Sequence, residues 1–281
     1  MNIRRTAVIA LLAIVPSVSA FAADEPGQKH SPFDDLAWQP GPLSFTLGSR
    51  AKIELPEKTA ALSESESNKF LKLTGNLPTS GLNIVTNGAW WATFEFDDAG
   101  YVKDDEKIDA DALLQQLKDS DGPSNEERKK AGFPALITDG WYVPPHYDPA
   151  TKRLEWGLRI HSVDDNRPVI NYTVRVLGRS GYERVVLVSS PETLDQDVAQ
   201  FKKVLTGFDF NTGEKYSEFK QGDRVAQFGL AALVAGGAAA VATKTGFWKV
   251  LLGALAAGWK LVAAAAVALL AGIAKLFKRK S

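Results

Sequence analysis

Apolar and polar positions alternate at Leu43, Phe45 and Leu47, and again at Ile53 and Leu55, with Gly48 between the two runs and Pro56 after them. A period of two bounded by turn residues predicts two short strands. Ser63-Glu64-Ser65-Glu66 has the form of a capping box ahead of Phe70, Leu71 and Leu73, which predicts a short helix closed at Gly75. Residues 82–85 and 90–96 flank Asn87-Gly88, the signature of a hairpin. On the second of these strands Trp90, Ala92, Phe94 and Phe96 share a face. An acidic stretch, 98–111, leads into a helix with Asp109 as its N-cap. Ser124 and Glu127 read as a second capping box, opening a separate helix that ends at Gly132 and Pro134.

Further on, Leu154, Trp156, Leu158 and Ile160 lie on one face of a strand. Ile170, Tyr172, Val174 and Val176 do the same on the next, and Gly178 to Gly181 turn the chain into a third strand over 182–189. Ser190-Pro191 opens a last helix whose Leu194, Val198, Phe201 and Leu205 recur at helical spacing, with Gly207 closing it. A meander packed on a C-terminal helix is an α+β domain with a mostly antiparallel sheet. Its expected extent is 38–210, with 211–224 as a polar linker.

The ends of the chain change the picture. Arg4 and Arg5, the apolar run 7–15, Pro16 and Ala20-Phe21-Ala22 form a secretory signal, so residues 1–22 are expected to be removed and 23–37 to be a flexible lead-in. Residues 225–243 carry no charge and would make a helix about 28 Å long at ~1.5 Å per residue, close to a bilayer core. A second apolar run, 250–274, is interrupted by Trp259-Lys260; the alternative is an interfacial 247–260 followed by a span over 261–277. The two runs predict a C-terminal transmembrane helical hairpin. Gly229, Ala232, Gly236 and Ala240 form a candidate helix-packing face on the first. Two spans, however, return Lys275, Lys278, Arg279 and Lys280 to the outside, against the positive-inside rule, whereas one span leaves them inside.

Net charge over all 281 residues is zero, but residues 24–224 hold 24 Lys and Arg against all 33 Asp and Glu, a net of −9. An acidic domain repels phosphates, so nucleic acid is not an expected partner. The absence of Cys excludes disulfides, thiolate metal sites and thiol catalysis. No P-loop, dinucleotide fingerprint or nucleophile elbow occurs, and no cofactor or metal is expected.

The stretch richest in recognition chemistry is Trp141, Tyr142, Val143, Pro144, Pro145, His146, Tyr147 and Asp148. Adjacent prolines stiffen the backbone, and Trp and Tyr are strong contact residues, so it reads as a rigid recognition loop. His146, Asp148 and His161 are the residues a hydrolase would use. Arg153, Arg159, Arg175, Arg179 and Arg184 lie on or beside the meander, where outward faces would pair them with the excess acids or an anionic ligand.

Several segments together resemble the bacterial membrane-anchored proteins grouped as domain of unknown function 2167. They are 90–96 with Gly100-Tyr101-Val102-Lys103-Asp104, Gly140-Trp141 through Asp148, Leu154-Glu155-Trp156, Asn171-Tyr172, Leu177-Gly178-Arg179 with Gly181, and Gly222-Asp223 running into 229–237. The closing strand–strand–helix arrangement is also similar to the Mog1/PsbP-type α+β fold. The resemblance implies an exported, membrane-anchored protein and carries no catalytic residue. The expected function is a binding or adaptor module of the cell envelope, held in the inner membrane with its soluble domain on the periplasmic side. The alternatives are an envelope hydrolase using His146, Asp148 and His161, and a membrane oligomer acting through its Gly/Ala-rich tail. The bilayer, an envelope protein and a second copy of the chain are the partners these readings imply.

Overall fold

In the computed structural model, which describes residues 31–235 apart from 75, 77, 131, 133, 165 and 167, alternation dominates. The strands are β1 (Gln39–Pro40), β2 (Leu43–Leu47), β3 (Ala51–Leu55), β4 (Ala60–Leu62), β5 (Leu82–Thr86), β6 (Trp91–Asp97), β7 (Leu136–Asp148), β8 (Arg153–Ser162), β9 (Pro168–Leu177), β10 (Tyr182–Val188) and β11 (Phe208–Phe210). The helices are α1 (Glu64–Leu73), α2 (Ala110–Lys130), α3 (Leu194–Leu205) and α4 (Leu230–Val234). Eight strands form one sheet in the order β1-β4-β5-β6-β10-β9-β8-β7, and β11-β3-β2 form a second. Neighbouring strands in both sheets run antiparallel. The chain is an α+β domain, as its periodicity indicates.

Because side chains alternate across a strand, the large sheet has two apolar faces to cover. On the back, Trp90, Ala92, Phe94, Tyr172, Val174, Val185 and Leu187 meet the second sheet and α3 through Phe45, Ile53, Phe201, Leu205 and Phe208. On the front, α1 covers one side with Phe70 and Leu71 against Leu62, Ile84 and Trp91. The other side is covered by Val102, Leu113 of α2, and Leu230 and Leu233 of α4 against Leu154, Trp156 and Tyr182.

The sequence reading needs correction at five places. Ser63 makes no side-chain bond into α1. Glu66, the supposed other half of the box, instead accepts the Ala37 N–H (3.1 Å) and pairs with Lys69 (2.7 Å). That contact belongs to the second correction. Residues 31–37, expected to be flexible, lie on the domain, with Leu36 buried and the Phe33 ring 5.5 Å from that of Phe70.

Third, α2 is continuous through Pro123 rather than two helices. Proline costs a helix a backbone hydrogen bond, but bonds to β7 flank it. Asp121 accepts the Thr138 N–H and hydroxyl at 2.8 Å each, and the Asn125 amide exchanges two bonds with the Leu136 backbone (2.7 and 2.8 Å). Asp109 does cap the helix, accepting the Ala112 N–H at 3.0 Å.

Fourth, the supposed linker is folded into the domain. Tyr216 is buried, with its hydroxyl donating to the Val102 carbonyl (2.9 Å), and Asp223 accepts two bonds from Arg179 (2.7 and 2.8 Å). Fifth, the expected span over 225–243 does not begin at Val225. That residue bridges Tyr101, and Leu230, Leu233 and Val234 are in the front core. Among the described residues no helix is long and apolar enough to cross a membrane. The signal, residues 23–30 of the lead-in and the spans beyond 235 lie outside the described residues.

On the back face Glu183, 2% exposed, is registered between Phe96 and Val176. Burial, with the nearby Glu95 charge, pushes its carboxyl from 4.5 up to about 8. A raised carboxyl contributes stability fully below its unfolded value and loses it as pH rises toward the folded one. Thermal unfolding should therefore show wild type losing stability between about pH 4.5 and 8, and Glu183→Gln losing distinctly less over the same window. Parallel pH profiles for the two proteins would refute this role.

Candidate functional site

The recognition stretch proves to be the second half of an edge strand, not a loop. Among the described residues β7 is the last strand of the large sheet and pairs with β8 alone. Its register slips between Thr138 and Gly140, between Trp141 and Val143, and between Val143 and His146. Bulges and prolines are the common devices that keep an open sheet edge from pairing with another chain, since proline offers no N–H. Here Pro144 is exposed and Pro145 buried.

The bulges distribute the side chains over both faces. Trp141 and Tyr147 turn to the front, where the Trp141 Nε1 donates to the Ala110 carbonyl (3.1 Å) and the Tyr147 hydroxyl to Asp104 (2.8 Å). Burial raises the Asp104 carboxyl, but hydrogen bonds from Lys152 (2.8 Å) and Tyr147 outweigh it and hold the group below the usual range. Asp148 serves the hairpin turn, accepting from the Thr151 hydroxyl (2.7 Å) and the Ala150 N–H (2.9 Å).

Tyr142 and His146 belong to the back. The Tyr142 ring crosses Gly157 so closely that a Cβ there would lie 2.7 Å from its Cδ1. Its hydroxyl donates to Asp195 at the start of α3. His146, its side chain 53% exposed, stands across from Glu155, with Nε2 3.9 Å from the carboxylate. Glu155 is buried and accepts from the Tyr172 hydroxyl (2.5 Å) and the Lys202 ammonium (2.7 Å). Burial pushes this carboxyl up, but the bonds from Lys202 and Tyr172 prevail and keep it below its ordinary value, hence ionised. Burial and the same bond push the Tyr172 hydroxyl well above its ordinary value. The result is a fixed carboxylate–ammonium pair under an exposed imidazole, rimmed by Tyr142 and Pro144. Such a surface suits hydrogen-bonded recognition of a polar or charged segment.

His146, Asp148 and His161 do not meet. His161 sits opposite Ile137 and pairs with Asp139 (2.8 Å), six positions along β8 from Glu155, or about 20 Å at ~3.3 Å per residue. Among the described residues no group of three His, Asp or Glu is placed to hold a metal. Gly229 and Ala232, taken for a membrane packing face, lie at α4; a Cβ on Gly229 would come within 2.3 Å of the Glu106 carboxylate. Gly236 and Ala240 fall outside the described residues.

Sequence reasoning missed Glu155, Lys202 and Asp195. Glu155 was visible as a carboxylate on a strand that alternates with buried Leu154 and Trp156, and Lys202 as a cation one turn after Val198 on the apolar stripe of α3. The meander arginines face inward more than expected. Arg175 lies between the Trp156 and Tyr182 rings (5.0 and 5.8 Å to the centroids), and burial with the neighbouring Arg184 brings it down to about 9. Arg184 is held by Asp97 (2.9 Å) and Glu95 (3.5 Å).

A family model described as "Protein of unknown function (DUF2167)" matches residues 39–270. Comparison with curated proteins gave no match. Among solved structures, the chain is similar to the solution structure of cyanobacterial PsbP (CyanoP) from Synechocystis sp. PCC 6803, at 6% identity and a TM-score of 0.36, over 66% of this chain and 100% of that one.

Three substitutions test how the site is held. Gly157→Ala forces Tyr142 to move and should cost about 1–3 kcal/mol in denaturant unfolding, the usual penalty of overpacking. Gly140→Ala, where nothing lies within 4 Å of the added carbon, should stay within about 0.5 kcal/mol of wild type. Tyr172→Phe removes a donor from a buried carboxylate and should cost about 1–3 kcal/mol. A neutral Gly157→Ala would mean that Tyr142 is not fixed as described.

Proposed function

The chain belongs to the DUF2167 family of proteins of unknown function, and on that premise we propose that it is a membrane-anchored binding module of the bacterial cell envelope. Its recognition element is the bulged outer half of β7 with the start of α3. The observation that carries the reading is the exposure of Pro144 and His146 on an unpaired sheet edge, beside Tyr142 and the Glu155–Lys202 pair that hold it in place. The hydrolase alternative loses ground because His146, Asp148 and His161 serve three separate neighbourhoods.

The signal sequence and the apolar tail support an inner-membrane protein with its domain in the periplasm. Packing of residues 225–235 on the domain favours one span over the hairpin. Only 236–243 remain uncharged ahead of Lys244, about 12 Å of helix at ~1.5 Å per residue against a bilayer core of about 30 Å. A single span over 250–274 keeps Lys275, Lys278, Arg279 and Lys280 in the cytoplasm, and one over 261–277 keeps Lys278, Arg279 and Lys280 there, in accord with the positive-inside rule. Self-association through the tail is then a secondary role, since Gly229 is spoken for by Glu106.

The absence of Cys makes topology directly measurable. With an impermeant thiol reagent on intact spheroplasts, Ser120→Cys and Thr245→Cys should label and Ser281→Cys should not. Labelling at Ser281 with protection at Thr245 would restore the hairpin, and protection at Ser120 would overturn export. For recognition, photo-crosslinking amino acids at positions 144 and 146 should yield the same adduct in native membranes, weakened several-fold by Tyr142→Ala. Adducts no different from those at exposed Val163 would sink the β7 site.

A further inference from the structure

Large apolar side chains are exposed at several places, Leu73, Ile137 and Val163 among them, and those at one end of the large sheet lie nearest in sequence to the tail. β6 ends there at Asp97, β9 ends at Leu177 and β10 begins at Tyr182, with Tyr182 registered to both Asp97 and Leu177. The segment 98–104 and residues 211–229 cover this end and deliver the chain into α4. Tyr101 is the hub. Its ring stacks on Tyr216 (4.4 Å) and lies tilted against Phe219 (4.1 Å), and its backbone brackets the chain between Arg224 and Ala226 (2.8 and 2.9 Å).

Two large apolar side chains beside this hub stay open to solvent, Phe219 at 37% and Val225 at 38%. Neither helps close the core, which Tyr216, Leu230 and Leu233 already fill. Charges around them are balanced in pairs: Arg179 with Asp223, Arg50 with Glu214, and Arg224 with Asp98. In a domain of net −9 this end is therefore locally neutral and escapes the repulsion that an anionic surface would exert on the remainder. Ala235 ends the described chain at the close of α4, on the front face, and 46 residues follow with seven Lys and Arg and no Asp or Glu.

We propose that this end of the domain, with Phe219 and Val225 foremost, lies on the lipid bilayer, the two side chains inserting at headgroup depth. The proposal rests on the membrane-anchored reading. It adds that the domain is held against the membrane in one orientation rather than swinging on its tether. The argument is one of continuity and chemistry. A tail entering the bilayer at 250 or 261, about 15 or 26 residues after Ala235, keeps this face near the membrane at high effective concentration. Aromatic and aliphatic side chains ringed by paired charges suit the interfacial layer, where an apolar body is buried and polar groups stay wet. It also places the exposed edge at Pro144 and His146 beside the membrane, because His146 is registered only two positions from the same end of β8, at Glu155.

The experiment uses the full chain reconstituted in nanodiscs of phosphatidylethanolamine and phosphatidylglycerol at three to one. Single nitroxide labels go on Phe219→Cys, Val225→Cys, Val163→Cys at the far end of β8, and Ala265→Cys in the tail. Accessibility to oxygen and to a water-soluble nickel chelate is then compared. At positions 219 and 225 the chelate should relax the label at least threefold less than at 163, with oxygen favoured. If 219 and 225 match 163 while 265 reads as lipid, the docked orientation is wrong and the anchor stands. If 265 also reads as water, the anchor itself fails and the proposal with it. Should Phe219→Cys not fold, Val225→Cys alone decides, being a smaller change at an exposed site.

Discussion

A wide antiparallel sheet that is apolar on both faces cannot stand with either face in water. Trp90, Phe94, Tyr172 and Val185 point to the back, and Trp91, Leu154, Trp156 and Tyr182 to the front. Each fully buried side chain of this size is worth about 1.5–3 kcal/mol, so covering both faces sets the terms for every other element. The second sheet and α3 close the back. No single element is large enough for the front, which is assembled from α1, α2, the 98–109 segment and α4. The capture of Leu230 and Leu233 follows from that shortage. These residues look like lipid-facing positions in the sequence, and the front of the sheet needs the same apolar surface.

This competition explains what could and could not be read from the chain. Elements determined by local chemistry were legible: the Asn87-Gly88 hairpin, the apolar stripe of α3, the alternation of β8 and β9, the Asp109 cap. Elements determined by distant partners were not. Glu66 leaves its own helix for the backbone of Ala37. Ser124 and Glu127 suggest a second helix start in the sequence, but Asp121 and Asn125 fasten a continuous α2 to β7. Pro144-Pro145 suggests a loop because proline is rare in strands; it is tolerated here because an edge strand leaves half of its backbone groups unpaired. The candidate site was half visible for the same reason. Tyr142 and His146 announced themselves by composition, while Glu155, Lys202 and Asp195 come from another strand and a helix, and only the fold brings them to β7.

Charge under that cover is accommodated in three ways. Glu155 remains ionised under the β7 edge because Lys202 reaches over it from α3. Arg175 is tolerated in the front core because two aromatic rings face its guanidinium, a weakly hydrated cation that stacks well. Glu183 has Phe96 and Val176 beside it and resolves the conflict by holding its proton toward neutral pH. The three solutions differ in consequence. The first leaves a polar surface available at the rim, the second is purely internal, and the third makes stability depend on pH.

The front-face shortage also gives the domain a direction. Because the chain must return to that face after α3, it crosses the sheet end at Tyr101 and leaves through α4. The same crossing sets Tyr216 and Asp223 against the turn at Gly178 to Gly181, so that end is tied by the Arg179–Asp223 pair as well as by apolar contact. An exit fastened this way differs from a free linker. A flexible tether lets a domain sample every orientation, whereas residues 216–235 have buried anchors on both sides of Val225. Here the packing that completes the core also fixes where the described chain leaves the domain.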